Sequence, residues 1–308
     1  MTRRLLVAAP MACEAWAVRH GVGAGATVVH AGMGRRRAAR CAARLRIGGG
    51  GAFAVAGVAG AVDPALRPGD VVVASEIRAA GATVRCLSAP MLAAQIAADG
   101  LTAHCGPIVS TARIVHGRER GRLAEEGALA ADMESDVLAE AAGATPLAVV
   151  RVVVDTPDRP LRSLQTVPGG ITALRSLAKA AAALPRWAEA TGPRTVALAD
   201  GGMAAELARD ADLILVAGSE DSSEAMRLVE LARRTGTPCG LVGGARQIEL
   251  TWLLGARDVV VCAVDPITGA IAAELVEALR GLGPVVIAEG GAVATEIMRS
   301  MLSKEVRA

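Results

Sequence analysis

Short apolar runs alternate with Ala-rich stretches of helical length along this chain, and that alternation most constrains its fold. Runs at 5–9, 27–30, 52–57, 71–74, 107–110 and 147–154 read as strands; stretches at 36–44, 90–98, 135–142 and 171–189 read as helices. Such a pattern predicts α/β layers. Gly192 and Pro193 in "EATGPRT" break the last helical stretch and mark a domain boundary, giving units 1–190 and 195–308. Beyond it the alternation restarts, with strands at 213–217, 240–242, 259–263 and 285–288 and helices at 224–234, 246–254 and 270–279.

Composition removes several function classes. Hydrophobic residues make up 52% of 308, enough for packed cores and too many for a disordered chain. The 33 basic and 31 acidic residues nearly cancel, so no electrostatic footprint for nucleic acid is expected. One Phe, three Trp and no Tyr leave no stacking platform for single strands. Six scattered Cys without a Cys-x-x-Cys pair suggest reduced thiols and no zinc site. The start, "MTRRLLVAAPMACEA", imitates a signal peptide, but Pro10 and Glu14 break it, so it reads as a first buried strand. No run approaches the roughly 18 apolar residues of a membrane helix. A cytoplasmic protein without a membrane span is expected.

Three acids stand out against this background. Glu14 follows the first strand in "APMACEA", Glu134 opens a helix in "ADMES", and Asp155 ends a long buried strand in "VVRVVVDTPD". In α/β sheets, ligands bind at the carboxyl ends of strands, so Glu14 and Asp155 are candidates for one cleft. Taken singly, each has a plain structural alternative. Asp132, Glu134 and Asp136 suit a helix N-terminus, Asp155 suits a helix cap, and Glu14 suits a solvated helix start. Glycine-rich strand exits at "HAGMGRRR" and "GVAGAVDP" would let backbone approach a ligand. Arg35, Arg36 and Arg37 read more simply as a solvated helix face than as a phosphate clamp.

In order, "MACE", "GMG", "GVAGAVDPALRPGDVVVAS", "CGPIVSTARIV", "AADMES" and "RVVVD" cover roughly residues 4–189. Together they resemble the purine nucleoside phosphorylase and methylthioadenosine/S-adenosylhomocysteine nucleosidase superfamily. "DTPDRPL" and "ADMES" further resemble its hopanoid-associated phosphorylase branch, which implies release of adenine from adenosylhopane. The resemblance implies a three-layer α/β/α domain, followed here by a small α/β domain. It implies a small-molecule nucleoside substrate, a homo-oligomer, and no cofactor, with phosphate as the alternative co-substrate.

The roles it implies are chemically reasonable. Asp155 would be the general acid for the purine N7, its pKa raised by desolvation at an apolar strand end. Glu14 would orient or deprotonate the attacking water. Glu134 would accept hydrogen bonds from the ribose 2′ and 3′ hydroxyls, with Met133 packed on the sugar. Gly32, Gly34, Gly60 and Ser110 would complete the substrate site. Two departures weaken adenine stacking and recognition. Pro146 and Leu147 stand where an aromatic is usual, and Thr111 and Ala112, rather than an Asp, follow Ser110.

The second unit resembles another family. "DLILVAGSEDSSEAMRLVELARRTGTPCGLV" and "IELTWLLGARDVVV" are similar to the last third of 4-hydroxy-3-methylbut-2-enyl diphosphate reductase. That family implies an iron–sulfur cluster on three cysteines, yet Cys239 and Cys262 fall at other places and two thiols cannot replace three. Glu224 and Asp265 replace neutral residues of the diphosphate pocket and would repel that ligand. A non-catalytic remnant is expected. The leading reading is cleavage of an adenine nucleoside; the alternatives are a reductase-related protein of isoprenoid biosynthesis and a nucleoside-binding scaffold.

Overall fold

The apolar runs form two parallel-rich sheets, one in each of two compact units, residues 1–191 and 192–308. The computed structural model describes residues 4–45, 47, 50–158, 166–200 and 209–288; the last part of "DTPDRPL", 159–161, lies outside them. The first unit runs β1 (Leu5–Ala9), α1 (Ala12–Val22), β2 (Ala26–His30), α2 (Arg35–Ala42), β3 (Ala52–Ala61), β4 (Val71–Ala79) and β5 (Ala82–Arg85). It continues with α3 (Ala89–Ala98), β6 (Ala103–Ser110), α4 (Gly117–Glu125), β7 (Ala130–Asp132), α5 (Ser135–Ala139), β8 (Leu147–Asp155), α6 (Thr166–Ala181) and α7 (Leu184–Ala190).

Its sheet follows the order β2-β1-β3-β7-β6-β4-β5, and β8 joins β3 in parallel and β4 in antiparallel. The pairings of β3, β7, β6, β4 and β8 therefore close a ring. This gives β8 a strand partner on each side, and its side chains Val149, Val150, Val152 and Val153 are wholly buried. Each such burial contributes about 1.5–3 kcal/mol. The β3–β8 register shifts at Ala59/Gly60, leaving Gly60 opposite Asp155. A bulge there re-aims the strand ends where a site can form.

The second unit runs β9 (Arg194–Ala199), β10 (Leu213–Ala217), α8 (Ser223–Thr235), β11 (Cys239–Val242), β12 (Asp258–Cys262), α9 (Pro266–Arg280) and β13 (Val285–Ala288). Its five strands are all parallel, in the order β11-β10-β12-β9-β13. Apolar residues of β10, β12 and α8, including Ile214, Val216, Leu228 and Val260, share one core.

Some expected elements change form. The helix expected at 171–189 is two helices, because α6 stops at Ala181 and α7 restarts at Leu184 with Pro185 in its first turn, where a missing N–H costs nothing. The helix expected at 246–254 is two 3₁₀ turns, Ala245–Gln247 and Leu250–Leu253. Among the described residues no helix is long and apolar enough to cross a membrane.

Candidate active site

The chain leaves β1 into α1, and the first turn of that helix carries Glu14 inward rather than into solvent; only 1% of the residue is exposed. Its carboxylate accepts the N–H of Met11 at 2.6 Å and of Val58 at 2.7 Å. Burial pushes its pKa up to about 7, with Arg151 and the two N–H groups opposing the rise. The solvated alternative for Glu14 is thereby overturned.

Glu134 precedes α5, is buried, and accepts the N–H of Gly34 at 2.7 Å. Burial also raises its pKa, again against the nearby Arg151. Asp155, at the end of β8, is buried and pairs with equally buried Arg120 of α4 at 2.8 Å. The strand end was expected to be apolar around Asp155; a guanidinium stands there instead and holds Oδ2. Among the described residues Oδ1 has no hydrogen-bond partner.

Two residues of β3 must be glycine for these charges to fit. A Cβ on Gly60 would lie 2.8 Å from both Arg120 Nη2 and Asp155 Oδ1. A Cβ on Gly57 would lie 2.5 Å from Arg151 Nη1 and 2.8 Å from Glu14 Oε1. Both are closer than a real Cβ contact, so the strand gives up side chains where the charges approach.

Glu14, Glu134, Met133, Gly60 and Asp155 line one cavity of about 220 Å³. Four of its other walls are Thr111, Ile114, Val115 and Met33. Ser110 is not among the lining residues. Its hydroxyl donates to Asp132 and accepts the N–H of Asp136 at 3.1 Å, so it serves the protein and not the cavity. Gly32 packs against Arg37, and Gly34 acts through Glu134. Met33, between them, supplies the loop's contribution to the wall. Arg35 reaches back to Asp136, in keeping with a helix-face role for the arginine run.

Asp132 was expected to be a favourable charge at a helix start. It accepts the N–H of Ser135 there at 3.3 Å and is in addition the buried counter-ion of Arg151, whose Nη2 lies 2.5 Å away. Ser135 donates its hydroxyl to Asp132 and accepts from Arg151 Nη2 at 2.8 Å. Arg151 is fully buried mid-strand, and among the described residues its Nη1 has no hydrogen-bond partner. Removing such a pair from water costs several kcal/mol per ion, which only close pairing offsets. Arg151 and Arg120 were missed from sequence. For Arg151 the signal existed, a charge interrupting "VVRVVVD"; Arg120 sits in the polar stretch "GRERGRLAE", where nothing sets it apart.

The expected aromatic position is also corrected. Leu147 begins β8 and Asp155 ends it, so Pro146 and Leu147 lie at the far end of the strand from the acid. Ile114 and Val115, past the end of β6, are aliphatic lining residues of the cavity.

In the second unit the strand-exit residues cap helices. The Ser222 hydroxyl accepts the N–H of Ala225 at 3.2 Å, and Asp265 accepts the N–H of Thr268 at 2.8 Å. Those hydrogen bonds lower the Asp265 pKa. Glu224 lies exposed in the first turn of α8. The donors do not fit an iron–sulfur cluster. Burial drives the thiols of Cys239 and Cys262 up to about 11 and 12, against thiolate formation. Among the described residues no three Cys, His, Asp or Glu side chains gather to hold a metal.

Comparison with known proteins matches residues 12–184 to the phosphorylase superfamily and residues 201–280 to the LytB protein family. A 4-hydroxy-3-methylbut-2-enyl diphosphate reductase of Mycobacterium bovis is 39% identical over 99 residues, 32% of this chain and 30% of that one. The reductase of Hahella chejuensis is 40% identical over 102 residues, 33% and 32% of the two chains. The chain thus spans less than a third of the length of either reductase. Among solved structures, a Helicobacter pylori methylthioadenosine nucleosidase with 5′-methylthioadenosine in its active site is similar at TM-score 0.49 and 18% identity. That match covers 59% of this chain and 96% of the other. Helicobacter pylori futalosine hydrolase gives 0.48 and 18%, covering 59% and 95%.

Proposed function

The chain belongs to the phosphorylase superfamily, and we propose that its first unit hydrolyses the N-glycosidic bond of an adenine nucleoside. The observation that carries this reading is the convergence of Glu14, Glu134 and Asp155, from three distant segments, on one cavity. Glu134 accepts hydrogen bonds from the vicinal ribose hydroxyls, and Met133 packs on the sugar. Asp155 delivers a proton from Oδ1 to N7 while Arg120 fixes Oδ2. The C1′–N9 bond breaks with its electron pair leaving on N9, and the sugar gains oxocarbenium character.

Water then attacks C1′ and passes a proton to Glu14, whose pKa of about 7 suits a base working near neutrality. Four acidic residues, Glu14, Asp132, Glu134 and Asp155, line the cavity against the one guanidinium of Arg120, and that excess of acids disfavours a phosphate dianion as the nucleophile. The wall residues Met33 and Ile114 are 60% and 47% exposed. This apolar mouth supports a nucleoside with an apolar 5′-substituent, such as adenosylhopane. The test is incubation with adenosine, with and without phosphate, following adenine and the sugar product. Adenine and free ribose in both conditions is the expected result. Release that requires phosphate and yields ribose 1-phosphate overturns hydrolysis. No release in either leaves a binding protein.

A further inference from the structure

The near-neutral total charge of the chain conceals one lopsided stretch. Between Glu14 and Asp63 stand seven Arg and no Asp or Glu, while the rest of the first unit balances at 15 basic and 15 acidic residues. The stretch contains β2, an edge strand of the sheet, and the arginine-bearing α2. Arg36, Arg37 and Arg40 are exposed on α2, and Arg44 is exposed just past its end. Arg36, Arg40 and Arg44 recur every four residues, so they share one face and repel one another. At about 1.5 Å per residue the row is about 12 Å long.

Little on the protein offsets this charge. Arg35 holds Asp136, but among the described residues Arg36, Arg37, Arg40 and Arg44 make no ion pair. The segment packed on α2 adds one more acid, exposed Glu140, which pairs with none of them. Residues 1–3, 46, 48–49 and 159–165 contain no Asp or Glu, so none of them can neutralise the row. Cations spread over that length do not converge on one small anion; they suit an extended anionic surface. Beside them the surface turns apolar. Met33, three residues before Arg36, is 60% exposed and lines the substrate cavity, as does Ile114 at 47%. Arginines next to exposed apolar side chains match a lipid headgroup layer, where cations stay at the phosphates and apolar groups sink below them. A nucleic acid would engage the arginines and leave Met33 and Ile114 in water.

We infer that the arginine row of α2, continued by Met33 at the cavity mouth, docks on an anionic lipid bilayer. The docking rests on charge and exposure alone. Its use, drawing a nucleoside with an apolar 5′-substituent out of the bilayer, rests on the proposed nucleoside cleavage.

The experiment sediments the full chain with vesicles of phosphatidylcholine alone, and with vesicles of phosphatidylcholine and phosphatidylglycerol in equal parts. Adenine release from dissolved adenosine is followed in parallel. Binding is expected to the anionic vesicles only. It should fade as salt rises from about 0.1 to 1 M, where the screening length falls from about 10 to 3 Å. A variant carrying Arg36→Gln, Arg40→Gln and Arg44→Gln should lose about a hundredfold in partitioning, since each arginine beside an anionic bilayer contributes about fivefold. Its adenine release from adenosine and its unfolding midpoint should match the wild type. A control carrying Arg227→Gln, Arg233→Gln and Arg234→Gln removes the same charge from exposed positions of α8 and should bind as the wild type does. No binding of the wild type to anionic vesicles overturns the inference. Equal losses in the two variants overturn it too, because net charge alone would then explain the binding. Binding to a DNA duplex without binding to vesicles gives the face to nucleic acid and also overturns it. If the vesicles bind as expected and adenosine stays intact, the docking holds and the nucleosidase reading fails.

Discussion

The two units put polar residues at equivalent places, just beyond the carboxyl ends of strands, and use them in opposite ways. In the second unit Ser222 and Asp265 turn back onto the helix that follows and accept its free N–H groups. In the first unit Glu134 precedes α5 without capping it, and its carboxylate faces the cavity while Asp132 accepts the N–H of Ser135 at 3.3 Å. The difference teaches how a site is told from a cap. Glu134 stays available to a ligand because Asp132 serves the helix start, whereas Glu14 accepts the N–H of Met11 at the start of α1 and still lines the cavity. Desolvation then becomes useful, because Glu14 and Glu134 both have raised pKa values where Asp265 has a lowered one.

The comparison breaks most easily at Asp155. Asp155→Asn should lower adenine release from adenosine by about 10³-fold, the scale of a lost general acid, with little change in KM. Unchanged release would remove Asp155 from the chemistry. Next is Arg151→Met, which leaves Asp132 buried without its cation. It should destabilise the first unit by about 3–5 kcal/mol in a denaturant titration. A surface-like loss of under about 1 kcal/mol would mean that the buried pair does not organise the site.

Glu14 sharpens the contrast through pH. Its folded pKa is raised, so it is protonated below about 7 and active as a base only above. kcat/KM should fall about tenfold per pH unit below that point, and Glu14→Gln should lower kcat by about 10²-fold and flatten the acid limb. An acid limb retained in Glu14→Gln would assign it to another group. The smallest effect is expected in the second unit. Ser222→Ala should cost about 1 kcal/mol of stability, as for a lost N-cap, and leave base release unchanged. A change in turnover would show that the capping residues of the second unit do more than cap.

Much of the layout was legible because apolar runs bounded by Gly, Pro and charges have few alternatives. The strands at 5–9, 213–217 and 285–288 form over just those residues. The missed helix α4 lacks an apolar stripe: "GRERGRLAE" buries only Arg120 and Leu123; α1 has one in Ala15, Val18 and Val22, and was missed all the same. The expectations for Glu14, Glu134 and Asp155 as neighbours match the cavity. Ser110 does not, since its hydroxyl is taken up by Asp132 and the N–H of Asp136.

By itself the sequence determined the α/β alternation and which strand exits carry acids, because periodicity and residue type are local properties. Only the tertiary structure decided which acid meets which cation. Asp132 and Arg151 are 19 positions apart and Arg120 and Asp155 are 35 apart, so each pairing depends on how the ring of strands closes. The same closure buries the carboxylates, and burial, more than composition, sets their charge state.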